Sequence, residues 1–171
     1  MGPGLSPEQN KIIADIRQYI TDAGAIRLQP SRYDRDRRNF YALSMVLFAL
    51  ANRLIDLGRE AVYSRGYAGP DEELKNKVVF RRLADHRIID PATRQDLLRM
   101  VDFRNRCSHH FHELTKEELM EISDALPRYE VFVADMTREL ERTAPVTKRQ
   151  LILAAGIVLL LCLGLLYLFF S

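Results

Sequence analysis

Residues 40–61 read FYALSMVLFALANRLIDLGREA, and the reading of this stretch decides the fold class. Phe40, Leu43, Leu47, Leu50, Leu54, Leu57 and Ala61 recur at spacings of three and four, with Tyr41, Phe48, Ile55 and Val62 beside them every seven. This is the period of a long amphipathic helix with a wide apolar face. Towards the N-terminus, Ser6-Pro7-Glu8-Gln9 supplies an N-cap, a first-turn proline and a capping-box glutamine. It opens a shorter helix over about residues 7–21, carrying Ile12, Ile13, Ile16 and Ile20. Towards the C-terminus, Gly66 and Gly69-Pro70 break the chain, and Leu74, Val78, Val79 and Leu83 mark a helix ending near His86. Asp90-Pro91 caps a fourth helix that runs to about residue 109. Thr115 and Glu118 form a capping box for a fifth, with Leu119, Ile122, Leu126, Phe132, Met136 and Leu140 on its face and a kink at Pro127. No strand-like alternation competes, and no internal repeat is present. The expectation is an all-α bundle of four to five helices over residues 1–142.

Residues 151–170, LILAAGIVLLLCLGLLYLFF, are of a different kind. As a helix they would span about 30 Å, the thickness of a hydrocarbon core. They have no polar face, and Lys148 and Arg149 stand just before them. A linker over 143–150, broken by Pro145, separates them from the bundle. The expectation is a single-pass, tail-anchored membrane protein with its N-terminal domain in the cytoplasm.

All 25 basic and 23 acidic residues lie before this segment, for a net charge of +2. So small a charge attracts no polyanion to the domain as a whole, and any contact with nucleic acid must come from a local cluster. Arginine outnumbers lysine 20 to 5, which fits phosphate recognition and fits genome base composition equally. With two cysteines, Cys107 and Cys162, there is no disulfide framework. The sequence contains no zinc-type Cys/His spacing, no glycine-rich phosphate loop and no Gly-x-Ser-x-Gly elbow, so no metal and no cofactor is expected.

The fourth helix carries the chemistry. At about 100° per residue, Leu97, Leu98, Met100, Val101, Phe103 and Cys107 fill one arc, and Gln95, Arg99, Asp102 and Arg106 fill the opposite one. Arg104 projects from near the middle of the apolar arc, with Asn105 and Ser108 on its side. A charge at a patterned core position marks either a site or an internal pair, for which Asp56 is a carboxylate partner. Directly afterwards come His109, His110 and His112, three of the four histidines. Such a cluster suits proton transfer near neutrality, and it also suits a solvated loop. On one continuous helix Arg104 and His109 would point about 140° apart. Their convergence requires the helix to end near Ser108.

Arg104-Asn105-Arg106-Cys107-Ser108-His109 resembles the motif of the HEPN ribonucleases, and within them the HepT-type toxins: arginine, a polar residue that is often asparagine, and a histidine closing an Arg-x4-His spacing. The flanks match as well. Met100 to Phe103 reads as the family writes this helix, residues 40–55 resemble its long helix, and Phe80 to Ala84 followed by Ile88-Ile89-Asp90 resembles its turn into the motif. The likeness covers roughly residues 35–140. It implies a metal-independent endoribonuclease acting as a homodimer whose two motifs face one cleft. His109 would take the proton of an RNA 2′-hydroxyl, and Arg104 would neutralise the phosphorane oxygens. Asn105 would orient the pair or serve as a plain helix amide, while Ser108 sits beside them. Arg106 would bind RNA backbone or be solvated. His110 and His112 remain alternatives for the base. The resemblance also implies a nucleotidyltransferase antitoxin as partner, which modifies a tyrosine two residues after the histidine; here that residue is Phe111, which has no hydroxyl. The other reading is a non-catalytic, membrane-anchored module of this type that binds RNA, nucleotides or a protein.

Overall fold

A computed structural model describes residues 4–27, 37–69 and 71–143. The anchor expected over 151–170 and the linker beyond Thr143 lie outside the described residues. Six helices follow one another: α1 (Pro7–Arg27), α2 (Arg37–Ser64), α3 (Asn76–Asp85), α4 (Pro91–His109), α5 (Lys116–Asp124) and α6 (Leu126–Thr143). A 3-10 turn, Phe111–Glu113, joins α4 to α5, and no strand occurs among the described residues.

The wide apolar face of α2 makes it the central element. Leu43, Leu47, Leu50, Leu54 and Leu57 are fully buried, and α2 packs against each of the other five helices. Its length and apolar content would also suit a membrane span, but that face is already occupied by the bundle. The isoleucines of α1 turn into it, and Ala23, also fully buried, carries the same face past the expected end at residue 21. At the start of α1 the capping box is reciprocal: Gln9 N–H donates to Ser6 Oγ at 3.1 Å, and Ser6 N–H donates to Gln9 Oε1 at 2.9 Å.

Turn chemistry sets the entry to α4. After α3 the N–H of Ile88 reaches back to Leu83 O at 2.8 Å and that of Arg87 to Ala84 O at 2.8 Å, which closes the helix end with Arg87 at φ 57°. This pair of bonds satisfies two end carbonyls, with a non-glycine residue in a left-handed conformation. The chain then leaves directly into the Asp90 cap.

Pro127 overturns the expected helix count. It breaks the fifth helix where a kink was expected, so that six helices form in place of four to five. Its ring would collide with the carbonyl of Ser123 four residues back, and it has no N–H to donate. The chain turns at Ala125, whose carbonyl accepts the N–H of Arg128 at 2.9 Å and of Tyr129 at 3.2 Å to restart the helix. Pro127 therefore stands in the first turn of α6, where a missing donor costs nothing.

One glycine fixes the distance between α2 and α3. A β-carbon at Gly58 would stand 2.8 Å from Val79 Cγ1 and 3.2 Å from Phe80 Cε1, both on buried side chains with no room to yield. Alanine would gain up to about 1 kcal/mol in helix propensity and lose about 1–3 kcal/mol to overpacking. Gly58→Ala should therefore lower the thermal midpoint; a rise in calorimetry would show that α3 can retreat.

Candidate functional site

The register of α4 is fixed at both ends. Asp90 accepts the N–H groups of Ala92 and Thr93 at 2.8 and 3.0 Å and the Thr93 hydroxyl at 2.5 Å. The Thr93 hydroxyl above all, with these N–H bonds, holds its carboxyl below the usual range. One turn on, the buried Asp96 pairs with Arg128 of α6 and lies 3.6 Å from Arg99. Leu97, Met100, Val101 and Phe103 are buried against the bundle. With these contacts made, Arg104 is directed towards α2.

Arg104 is half-buried, and its partners are neutral. Its Nε donates to Asn52 Oδ1 at 3.0 Å, its guanidinium carbon lies 5.7 Å from the Phe48 ring centre, and one terminal nitrogen reaches Asn105 Oδ1 at 3.5 Å. Asn52 is itself oriented, since its Nδ2 donates to Phe48 O at 3.0 Å. The pairing with Asp56 considered from the sequence does not form: that carboxylate takes Arg53 at 3.2 Å and Arg59 at 3.9 Å. Among the described residues no carboxylate pairs with Arg104. A cation partly removed from water, with two side-chain amides and a ring face beside it, lacks the compensation that a buried ion pair supplies. Its terminal nitrogens, one of them at 3.5 Å from Asn105 Oδ1, present a fork to an anion.

The histidines lie elsewhere. α4 continues to His109, because His110 N–H still donates to Arg106 O at 2.7 Å and the Ser108 hydroxyl bonds back to Arg104 O at 3.1 Å. The early helix end that would let Arg104 and His109 converge is absent. Within one chain they stand about 140° apart with about 7.5 Å of rise between them. His109 is exposed, with no hydrogen bond or ion pair among the described residues, and its ring centre is 6.5 Å from that of His110. His110 and His112 lie 3.5 and 3.7 Å from Glu113. Among the described residues no three His, Cys, Asp or Glu side chains group as metal ligands. Asn105 is exposed. Arg106 pairs with Glu118 of α5. The expected capping box at Thr115 is accordingly half-formed: the Thr115 hydroxyl accepts the Glu118 N–H at 3.2 Å, while the Glu118 carboxylate crosses to Arg106.

Two features escaped the sequence reading. Asn52 seats the arginine, and its only signal was an amide one turn from Phe48 along an apolar helix. Phe111, taken only for the hydroxyl it lacks, is the centre of an aromatic cluster: its ring lies 5.6 Å from Tyr41 at 25° and 6.4 Å from Phe40 at 78°. The cluster ties the turn after α4 to the start of α2.

The ribonuclease HepT-like family model matches residues 10–136. No curated protein matches the chain. A crystal structure of a toxin–antitoxin with AMP-PNP superposes with a TM-score of 0.68 at 19% identity, covering 77% of this chain and 99% of that one. A tri-AMPylated Shewanella oneidensis HEPN toxin in complex with an MNT antitoxin gives 0.69 at 18% identity, covering 78% and 99%. At these identities the likeness is one of fold.

Cys107 lies within the motif and is not poised to react. Burial pushes its thiol up to about 11, against a small opposing effect of Arg106. The folded chain thus keeps a proton that the unfolded chain loses near the ordinary value of 9.0. Stability from this group is full below pH 9 and falls as pH rises from there towards 11. In a Cys162→Ser chain, iodoacetamide at pH 9 should label the native protein far more slowly than the urea-unfolded one. Equal rates would show an open, ordinary thiol.

Proposed function

For a chain that belongs to the ribonuclease HepT-like family, we propose a metal-independent endoribonuclease, the toxin of a toxin–antitoxin or defence system, held at a membrane by residues 151–170. The observation that carries the proposal is Arg104: a half-buried guanidinium at the family motif, seated on Asn52 and Phe48 and without a counter-anion among the described residues. The terminal nitrogens of a guanidinium oriented by Asn52 and Phe48 fit the non-bridging oxygens of a phosphodiester, whose charge grows as a fifth oxygen adds. His109 takes the proton of the 2′-hydroxyl, the 2′-oxygen bonds to phosphorus, and the bond to the 5′-oxygen breaks as that oxygen collects a proton. The products are a 2′,3′-cyclic phosphate and a free 5′-hydroxyl. Asn105 and Ser108 support the arginine, and His110 is the alternative base.

The divergence of Arg104 and His109 along α4 supports a homodimer. In such a dimer the arginine of one copy and the histidine of a second meet at one phosphate. Arg106, half-exposed beside Glu118, can contact RNA backbone by loosening that pair. A nucleotidyltransferase-type antitoxin is the proposed partner, by analogy with the complexes of similar fold. Phe111 offers it no oxygen to modify, so control would come from stoichiometric binding or from confinement at the membrane. One observation favours the non-catalytic reading, a membrane-anchored binding module: among the described residues no side-chain hydrogen bond holds His109 in place.

Full-length protein in detergent should cut single-stranded RNA with EDTA present. Arg104→Ala and His109→Ala should each abolish cleavage with the helical circular dichroism unchanged. His86→Ala, at the far end of α3, should cut normally. Asn52→Asp should be the most telling variant. It would give Arg104 the carboxylate it lacks, so the melting temperature should hold or rise while cleavage is lost. Cleavage that survives the Arg104 and His109 substitutions, or that requires a divalent metal, would falsify the mechanism. For the anchor, the full chain should stay in the membrane pellet after carbonate extraction, and release into the supernatant would remove it from the proposal.

A further inference from the structure

Beside the motif lies a cavity of about 400 Å³ lined by Arg37, Phe40, Tyr41, Phe111, His112 and Leu114, a size common for sites that bury a small molecule. Three of its walls are aromatic. Tyr41 and Phe111 stack nearly parallel, and Phe40 meets both edge-on. Tyr41 is nevertheless 46% exposed, one of few large apolar side chains left open among the described residues. Its ring is braced from behind and bare in front. Arg37 stands at the rim, and among the described residues no carboxylate pairs with it. Phe111 follows His109 by two residues, so the cavity lies within a nucleotide's reach of the end of α4.

We infer that this cavity is a nucleobase subsite, in which one unstacked base of single-stranded RNA lies on the open face of Tyr41 while Arg37 meets its phosphate. The inference rests on the ribonuclease reading and adds to it the substrate's form. A duplex keeps its bases stacked inside, whereas a single strand can offer one to a ring face. The braced Tyr41–Phe111 pair presents that face at little entropic cost, because neither ring has to be ordered on binding. Every base has such a face, so the subsite selects single-stranded character over sequence. The chemistry that recognises the ligand is therefore a π-surface and a cation, with no hydrogen-bond pattern for a particular base.

The test uses full-length protein in detergent and a short 2′-O-methyl oligoribonucleotide carrying 2-aminopurine, which has no free 2′-hydroxyl and is dimmed when it stacks. Wild type should quench it on binding. Tyr41→Ala should lose the quenching and weaken binding roughly tenfold or more, and Tyr41→Phe should retain both. Arg37→Ala should keep the quenching and lower the slope of affinity against salt by about one. Unchanged quenching and affinity in Tyr41→Ala would overturn the subsite. So would a Tyr41→Ala protein that binds normally but falls to monomer by light scattering, since the face would then belong to a second copy. Cleavage of unmodified RNA by a wild type that never quenches the probe would sink the subsite and leave the nuclease standing. Quenching without cleavage would do the reverse.

Discussion

A guanidinium without a counter-charge among the described residues is the constraint around which the motif end of this bundle is arranged. Arg104 would be cheaper to hold with a carboxylate, and Asp56 lies one turn beyond Asn52 on the same helix, yet it is spent on Arg53 and Arg59. What faces the arginine is an amide and a ring. Both orient the side chain, and neither cancels its charge. The bundle thus holds a positive fork in a fixed position, at some cost in stability, and natural domains accept that cost where an anion is to be bound. The rest of α4 serves this placement: the Asp90 cap, the buried Asp96 pair and the Phe103 contact set the rotation that points residue 104 at α2.

Most of the fold was legible in the sequence, because periodicity and caps are local. The long row from Phe40 to Ala61 gave the central helix, and the Ser6 box and Asp90 cap both form as read. The misreadings have two causes, a side chain that chose a distant partner and a local steric clash that the apolar pattern does not register. Glu118 has the spacing for a capping box and takes Arg106 from another helix. Pro127 was weighed as a kink because the apolar face continues through it, but the collision with Ser123 is steric, and no pattern of apolar residues relieves it.

The site was legible only in part for the first of these reasons. Arg104 stood out because a charge interrupts an apolar arc, a local signal. Asn52 did not, because an amide on a long helix gains meaning only from what packs across from it. The aromatic trio was likewise invisible, since Tyr41 and Phe111 meet through the fold alone. Helical geometry gave the condition, that Arg104 and His109 diverge unless the helix ends near Ser108, and the restart at Thr115 favoured such an end. Instead α4 keeps its ladder to His109, so the two diverge.

Fifty-two residues separate the two ends of the Asn52–Arg104 hydrogen bond, so the seat of the arginine is a long-range contact. The α1–α2 and α3–α4 pairings join neighbours in sequence and close over short loops, whereas seating the arginine requires the two halves to meet. A partly folded chain can therefore carry the motif in full while Arg104 still lacks its Asn52 seat. For a polypeptide proposed to attack RNA, this ties the proposed activity to tertiary folding as well as to the short motif.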